Sequence, residues 1–216
     1  FFPVIGWLVG AAMGLTFWVL QWWASPEISL LVALAVGLLM TGAFHEDGLA
    51  DYFDGFGGGW TPEQVLEIMK DSRVGTYGLM GTLVVQGLKF FALLELPVDL
   101  VPIALLMGHS LSRLTAGVFI RLLPYVQLDA QSKAKPIAQS LPQKDFGVMV
   151  LLGVAPLLVW QSWQALGSLL VLGLFVLIFR RILHKRLGGY TGDCLGAAQQ
   201  FSETVFYLYL VLNPWI

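Results

Sequence analysis

The chain has 216 residues, of which 57% are hydrophobic and only 12% are charged, and its formal net charge is −2. Ordinary soluble domains are roughly 45 to 50% apolar and about 25% charged. This composition, with a mean hydropathy of +0.75, excludes an ordinary soluble domain and indicates an integral membrane protein. No nucleic-acid partner is expected.

Apolar runs that approach or exceed the roughly 17 to 25 residues of a transmembrane helix recur along the chain. We count about seven: 3–24, 28–44, 76–94, 100–123, 146–162, 166–179 and 195–215. The runs are continuously apolar, whereas strands of a membrane barrel would alternate. The sequence therefore predicts one all-α integral membrane domain over residues 1–216, a polytopic helix bundle with polar loops at 45–75, 124–145 and 180–194.

The basic residues indicate the orientation of this bundle. The three polar loops fall on the same side as the first residue, and this side receives ten of the 12 Lys and Arg residues. Cytoplasmic loops carry an excess of Lys and Arg, so this side is predicted to be the cytoplasm. Because the chain begins at Phe1 and not at methionine, we expect the natural N-terminus to lie upstream.

The stretch HEDGLADYFDGFGGGW, residues 45–60, carries the most unusual chemistry. Seven of the 14 acidic residues fall between positions 46 and 71, at the edge of an apolar run. If the second membrane helix continues here, Asp47, Asp51 and Asp54 lie on one side of it, with Glu46 about a quarter turn away. Their like charges would repel one another unless a cation lies between them. Hard oxygen ligands in small number suit Mg²⁺.

The glycines and the segment that follows suggest an anion next to this metal. Gly57 and Gly58 would let backbone N–H groups come close to a phosphate. Thr61 is typical of a helix N-cap and is followed by proline, so a short helix is predicted over 62–71. Arg73 lies just beyond that helix and is available for a phosphate.

Other polar residues have two readings each. The basic run at 180–186 is either a topology determinant or a substrate contact. His109 and Arg113 lie within a span and are either functional or paired there. His45 is a ligand or a hydrogen-bonding residue at the interface.

Three segments closely resemble the signature segments of the cobalamin synthase family, also called adenosylcobinamide-GDP ribazoletransferase. They are HEDGLADYFDGFGGG (45–59), LEIMKDSRVGTYG (66–78) and GGYTGDCLGAAQQ (188–200). The resemblance implies a multi-pass enzyme of the bacterial inner membrane with its site facing the cytoplasm. It would join adenosylcobinamide-GDP to α-ribazole or α-ribazole 5′-phosphate, release GMP and require Mg²⁺.

The resemblance also implies residue roles, because a ribose hydroxyl would attack the cobinamide-side phosphorus of the diphosphate. Charge neutralisation and positioning are the main needs of such a transfer. The implied metal ligands are Asp47, Asp51 and Asp54, with Glu46 supporting them. The implied catalytic residues are Asp54, Asp71 as general base or second metal ligand, and Asp193 on metal or a substrate hydroxyl. The implied phosphate and nucleotide contacts are Lys70, Arg73, Gly57, Gly58 and Arg181.

Two alternatives remain. DYFDG at 51–55 reads as the DxxDG opening of CDP-alcohol phosphotransferases, which suggests a distant relation and a lipid alcohol as acceptor. The Ala-Arg expected after that opening is absent, however, and only Glu67 and Asp71 approximate the second carboxylate pair. A cation or corrinoid transporter would carry ionisable residues near mid-span, whereas these carboxylates lie at one interface. The oligomeric state is open, and a homo-oligomer is compatible with the sequence.

Overall fold

Helices make up the fold throughout the residues that the structure, a computed structural model, describes: 2–126, 141–158 and 163–213. They are α1 (Phe2–Leu20), α2 (Pro26–Thr41), α3 (Phe44–Gly58), α4 (Pro62–Met69), α5 (Thr76–Leu94), α6 (Val101–Leu122), α7 (Gln143–Val154), α8 (Trp163–Leu187) and α9 (Gly192–Leu212). Short 3₁₀ helices, Val98–Leu100 and Ala155–Leu158, adjoin α6 and α7. Within the described ranges the extended pairing is limited to one bridge between Tyr125 and Tyr190. The predicted all-α class is confirmed.

Several helices are long and apolar enough to cross a membrane. Four pass by length and hydropathy, namely Phe2–Leu20, Thr76–Leu94, Val98–Leu122 and Leu166–Leu187, and a bent pair formed by α2 and α3 makes a fifth if it is one span. Helix α7 has only 12 residues, and the predicted run 146–162 is described only as far as residue 158. The structure thus supports four or five spans, and the number seven stays a prediction.

Helices α1 and α6 pack closely together because glycines line their contact. A Cβ on Gly10 would lie 2.7 Å from the Leu105 carbonyl oxygen, and one on Gly14 would lie 2.9 Å from the Pro102 oxygen. Small residues let apolar helices approach through their backbones in a membrane. In the middle of α6, Met107 and Leu111 are buried in the hydrophobic core.

A sharp break separates α2 from α3, so the second membrane helix does not continue into the acidic stretch as the sequence suggested. Gly42 and Ala43 both have positive φ, at 63° and 55°, and the two helices meet at 89°. The left-handed conformation ends a helix because the next residues turn away from its axis. The acidic residues therefore keep their helical spacing, but on a separate helix.

Two predicted loops are largely helical. Residues 45–75 contain α3 and α4. Thr61 is the N-cap of α4 as predicted, and the structure adds a capping box with Gln64. Helix α8 runs on to Leu187, beyond the predicted end at 179, because no helix-breaking residue precedes Gly188, whose φ is 73°. The basic run at 180–186 thus forms its last two turns. Most of the predicted loop 124–145, residues 127–140, lies outside the described residues.

An aromatic cluster holds α3 against α8 and α9. Tyr52 stacks on Phe56 and contacts Phe179 of α8 and Phe201 of α9 with ring centroids 5.4 and 5.6 Å away. Leu49 of the same helix face is fully buried. The apolar face of α3 is therefore anchored in the bundle, and its acidic residues occupy other faces.

Candidate functional site

The start of α9 brings a fourth carboxylate to the acidic residues of α3. A Cβ on Gly48 would lie 3.0 Å from the Asp193 Cα, so the two helices nearly touch there. Asp47, Asp54 and Asp193 all lie within electrostatic range of Asp51. We call these four residues the acid cluster. The sequence expectation that Asp193 joins the α3 carboxylates agrees with this geometry.

The charge of the acid cluster is poorly compensated by the protein. In the described part of the chain, no side chain forms a hydrogen bond or ion pair with Asp47 or Asp51. Burial first, and then the negative charge of Asp47, raise the pKa of Asp193 above its usual range. Uncompensated carboxylates of this kind favour the binding of a cation.

The described carboxylates do not form a complete metal site by themselves. Over residues 2–126, 141–158 and 163–213, no three His, Cys, Asp or Glu side chains form a group that could hold a metal by themselves. Mg²⁺ usually needs only one or two protein carboxylates and completes its shell with water and substrate phosphate. Asp47 is exposed and Asp51 half-buried, so both are accessible to such an ion.

Asp54 differs from its neighbours because the backbone of α5 occupies both of its oxygens. Gly75 N–H donates to Oδ2 at 2.7 Å and Gly78 N–H donates to Oδ1 at 2.8 Å. These N–H groups belong to the first turn of α5, where no intrahelical acceptor exists. Asp54 is 9% exposed. The carboxylate therefore joins α3 to the start of α5, and its role as a metal ligand stays a prediction.

Asp71 and Arg73 form an exposed ion pair beyond the end of α4. The guanidinium lies 2.6 Å from the Asp71 carboxylate, and the Arg73 backbone N–H also donates to it at 3.1 Å. These hydrogen bonds to Arg73 lower the pKa of Asp71 to about 2. Asp71 is thus a weak proton acceptor while Arg73 is bound to it. Lys70 is exposed at the C-cap of α4.

An open cleft of about 670 Å³ lies between the end of α3, α4 and the start of α5. Its walls include Asp54, Glu67, Asp71 and Arg73, together with the ring of Tyr77. The volume falls within the roughly 300 to 1,000 Å³ of ligand sites. Three carboxylates face one guanidinium there, so a phosphate that enters needs added positive charge.

The end of α3 presents carbonyl groups to α8. Gly57 and Gly58 lie in the last turn of α3. This is the negative end of the helix dipole, which does not favour an anion. Their binding of an anion stays a prediction. Arg186 donates to the carbonyl oxygens of Phe56 at 3.2 Å and Gly59 at 2.8 Å. Arg181 is exposed on α8, and its predicted contact with GDP is likewise a prediction.

A second polar centre lies inside the bundle, around Glu203 of α9, which is 0% exposed. Its carboxylate lies 2.7 Å from Lys89 Nζ, 2.9 Å from His109 Nδ1 and 3.6 Å from Arg113 Nη1. Ser112 Oγ donates to it at 2.9 Å. We call these five residues the buried ionic cluster. Of the two readings for His109 and Arg113, the structure supports pairing.

The sequence pattern alone did not single out Glu203 and gave Lys89 no role. Both lie within predicted spans, and an ionisable residue at membrane depth indicates a paired or functional group. Glu46 also belongs more closely to this centre than to the acid cluster, because it accepts a hydrogen bond from Gln200 Nε2 at 2.7 Å. Its predicted supporting role at the metal is therefore indirect in this geometry.

The sequence matches the cobalamin-5-phosphate synthase (CobS) family over residues 1–211. Curated relatives named adenosylcobinamide-GDP ribazoletransferase include proteins of Vibrio cholerae serotype O1, 47% identical over 214 residues, and Shewanella oneidensis, 45% identical over 220 residues. The match covers 98% of this chain and 81% and 82% of those relatives. No solved structure matches the chain. The chain belongs to the cobalamin-5-phosphate synthase family.

Proposed function

We propose that this protein joins adenosylcobinamide-GDP to α-ribazole or α-ribazole 5′-phosphate and releases GMP. The family membership and the names of relatives at about 45% identity over nearly the whole chain support this reaction. The observation that carries it structurally is the meeting of Asp47, Asp51 and Asp54 with Asp193. Asp54 of this cluster also lines the open cleft. A diphosphate substrate needs such a place, where charge can be neutralised.

Mg²⁺ is the proposed cofactor. Asp47 and Asp51 are the residues that would hold it, with water and substrate phosphate completing its shell, and Asp193 would act beside them. When bound, the ion would supply positive charge to the phosphate oxygens of the substrate. The four carboxylates of the acid cluster favour such an ion, because otherwise their negative charge would repel the substrate. Asp54 keeps α3 and α5 in register by holding the first turn of α5.

The residues of the cleft suggest how the proton of the reaction is handled. The attacking ribazole hydroxyl forms a bond to the cobinamide-side phosphorus, and the bond from that phosphorus to GMP breaks. Arg73 is placed to exchange its partner from Asp71 to a substrate phosphate, because it is exposed and lies on the cleft wall. Asp71, released from Arg73, would then be a stronger base and accept the hydroxyl proton.

We further propose a bacterial inner-membrane location with about seven spans and the acid cluster at the cytoplasmic face. Three polar segments, near residues 45–59, 125 and 186–193, contact one another at one end of the bundle. The contacts join Gly48 to Asp193, Arg186 to Gly59, and Tyr125 to Tyr190. This is the end that carries most of the basic residues, as the positive-inside rule requires of a cytoplasmic face.

A distant relation to CDP-alcohol phosphotransferases remains a proposal that rests on DYFDG at 51–55. The corresponding alternative function is the same phosphoryl chemistry with a lipid alcohol as acceptor. A cation or corrinoid transporter is less favoured, because the ionisable residues deep in the bundle are paired around Glu203.

The test is an assay of GMP release by the purified protein in lipid nanodiscs with adenosylcobinamide-GDP, α-ribazole and Mg²⁺. We expect GMP release that depends on all three components and is lost in Asp51→Asn. Asp145→Asn, an exposed aspartate at the start of α7, is the matched control and should retain activity. Absence of GMP release with α-ribazole, together with release when a lipid alcohol replaces it, would overturn the proposal. Substrate flux into vesicles that survives Asp51→Asn would favour a transporter.

A further inference from the structure

A chain of hydrogen bonds runs from the centre of the bundle to the start of α3. Glu203 contacts Lys89 Nζ at 2.7 Å, and the same nitrogen donates to Gln200 Oε1 at 2.6 Å. The Gln200 amide nitrogen donates in turn to Glu46 Oε1 at 2.7 Å. Each step joins different helices, so the chain links α9 and α5 to α3. Glu46 directly precedes Asp47, the first residue of the acid cluster.

Burial makes this chain sensitive to charge. Lys89 is 4% exposed and Arg113 is 5% exposed, so both cations depend on nearby carboxylates. In the absence of the Glu203 charge, the other carboxylate facing them in the described residues would be Glu46. Breaking a buried pair by removing one partner leaves an uncompensated charge that is strongly unfavourable.

Glu46 has room to respond to such a change. A cavity of about 30 Å³ is lined by Glu46, Lys89, Arg113 and Glu203 among other residues. Glu46 Oε2 and Arg113 Nη2, both buried, have no hydrogen-bond partner within the described residues. The Glu46 carboxylate would therefore be drawn from Gln200 towards the cations, and the first turn of α3 would move with it.

We propose that Glu203 is a positioning residue, which fixes Glu46 through Lys89 and Gln200 and thereby sets the place of the acidic helix α3. The proposal rests on the proposed function insofar as α3 carries the reaction site. Glu203 itself touches neither the cleft nor the acid cluster. Its effect on turnover is expected to pass through the backbone of α3.

The structure offers a matched control for this path. Ser112 Oγ also donates to the Glu203 carboxylate, at 2.9 Å, but Ser112 lies on α6 and does not lead to Glu46. Loss of this bond in Ser112→Ala weakens the buried ionic cluster without breaking the path. Gln200→Leu removes the last two steps of the path, from Lys89 to Gln200 and from Gln200 to Glu46, and leaves the charge of Glu203 in place.

The experiment compares Glu203→Gln, Gln200→Leu and Ser112→Ala in nanodiscs, with kcat and KM measured per folded molecule. Hydrogen exchange of the segment 44–50 gives a second readout that does not depend on activity. A misplacement of about 1 Å in a reaction site can reduce the rate roughly a hundredfold. We expect Glu203→Gln and Gln200→Leu to lower kcat about tenfold to a hundredfold, to leave KM for adenosylcobinamide-GDP within about twofold, and to speed exchange at 44–50. Ser112→Ala should change neither.

Wild-type kcat and exchange in Gln200→Leu would overturn the proposal, and so would equal losses in Ser112→Ala. If Glu203→Gln does not fold, Glu203→Asp replaces it, and a kcat between those of Gln200→Leu and the wild type supports positioning. If the wild-type protein releases no GMP, the proposed function fails. The exchange comparison at 44–50 still decides whether the path positions α3.

Discussion

Asp54 accepts a hydrogen bond from the backbone N–H of Gly78 at 2.8 Å, so a residue of the acid cluster also starts the next membrane helix. Its other oxygen accepts from Gly75 at 2.7 Å. A Cβ on Gly78 would lie 2.9 Å from the Ala50 carbonyl oxygen. The DYFDG stretch and the GTYG stretch of the sequence therefore form one structural unit.

Asp54→Asn should destabilise the protein as well as reduce turnover. The amide keeps one acceptor but places a donor against a backbone N–H, and a buried unsatisfied group costs about 1 to 3 kcal/mol. Thermal unfolding in nanodiscs measures this loss. Asp47→Asn is the comparison, because Asp47 is exposed and has no protein partner in the described residues. Equal unfolding temperatures for the two variants would contradict the role of Asp54 at α5.

Mg²⁺ should raise the unfolding temperature of the wild-type protein. A ligand that binds only the folded state at a hundredfold excess over its Kd stabilises by about 2.7 kcal/mol. We expect Asp51→Asn to abolish most of this shift and a chelator to reverse it in the wild type. Asp145→Asn should respond to Mg²⁺ as the wild type does. An undiminished Mg²⁺ shift in Asp51→Asn would remove that residue from the ligand set.

The ion pair of Asp71 and Arg73 gives a prediction on pH. The pKa of Asp71 is lowered from 3.8 to about 2 by hydrogen bonds from Arg73. Because the folded value lies below the ordinary one, the pair stabilises this loop at pH values above about 3.8 and loses that effect as pH falls through about 2. Titration of ¹³C-labelled aspartate carboxyls by NMR should show the pKa of Asp71 returning towards 3.8 in Arg73→Gln.

The control for that titration is Arg121→Gln, since Arg121 donates to Gln143 and is not among the groups that shift the pKa of Asp71. The same pKa should also rise when adenosylcobinamide-GDP is added, because the proposed exchange moves Arg73 to phosphate. An Asp71 pKa unchanged by Arg73→Gln would show that the pair does not form in the protein.

Replacement of glycine by alanine should have opposite effects on stability at Gly42, in the break between α2 and α3, and at Gly87. A Cβ would meet no atom within 4 Å at either Gly42 or Gly87, so space is not limiting. Gly42 has φ of 63°, where an L residue costs roughly 1 to 2 kcal/mol. Gly87 lies inside α5, where alanine is favoured by about 1 kcal/mol. Gly42→Ala should therefore lower the unfolding temperature and Gly87→Ala should raise it.

Composition and residue spacing were sufficient to predict the membrane class, the helical fold and the acidic helix face. Continuous apolar runs have few alternatives in a bilayer, because backbone groups must be satisfied within each helix. The i, i+4, i+7 spacing of Asp47, Asp51 and Asp54 puts them on one side of any helix. The predicted common face is therefore correct, although these residues lie on α3 and not on a continuation of α2. Local signals also marked the Thr61 cap.

Only the tertiary structure decided which of these carboxylates are available to a ligand. Asp54 looks like its neighbours in sequence, yet the backbone of α5 occupies both of its oxygens. Glu46 accepts a hydrogen bond from Gln200. Glu203, which lies within an apolar run of the sequence, contacts Lys89, His109 and Arg113. Partners of this kind lie far apart in the chain, and the pairing follows from how helices pack, which spacing within one helix does not contain.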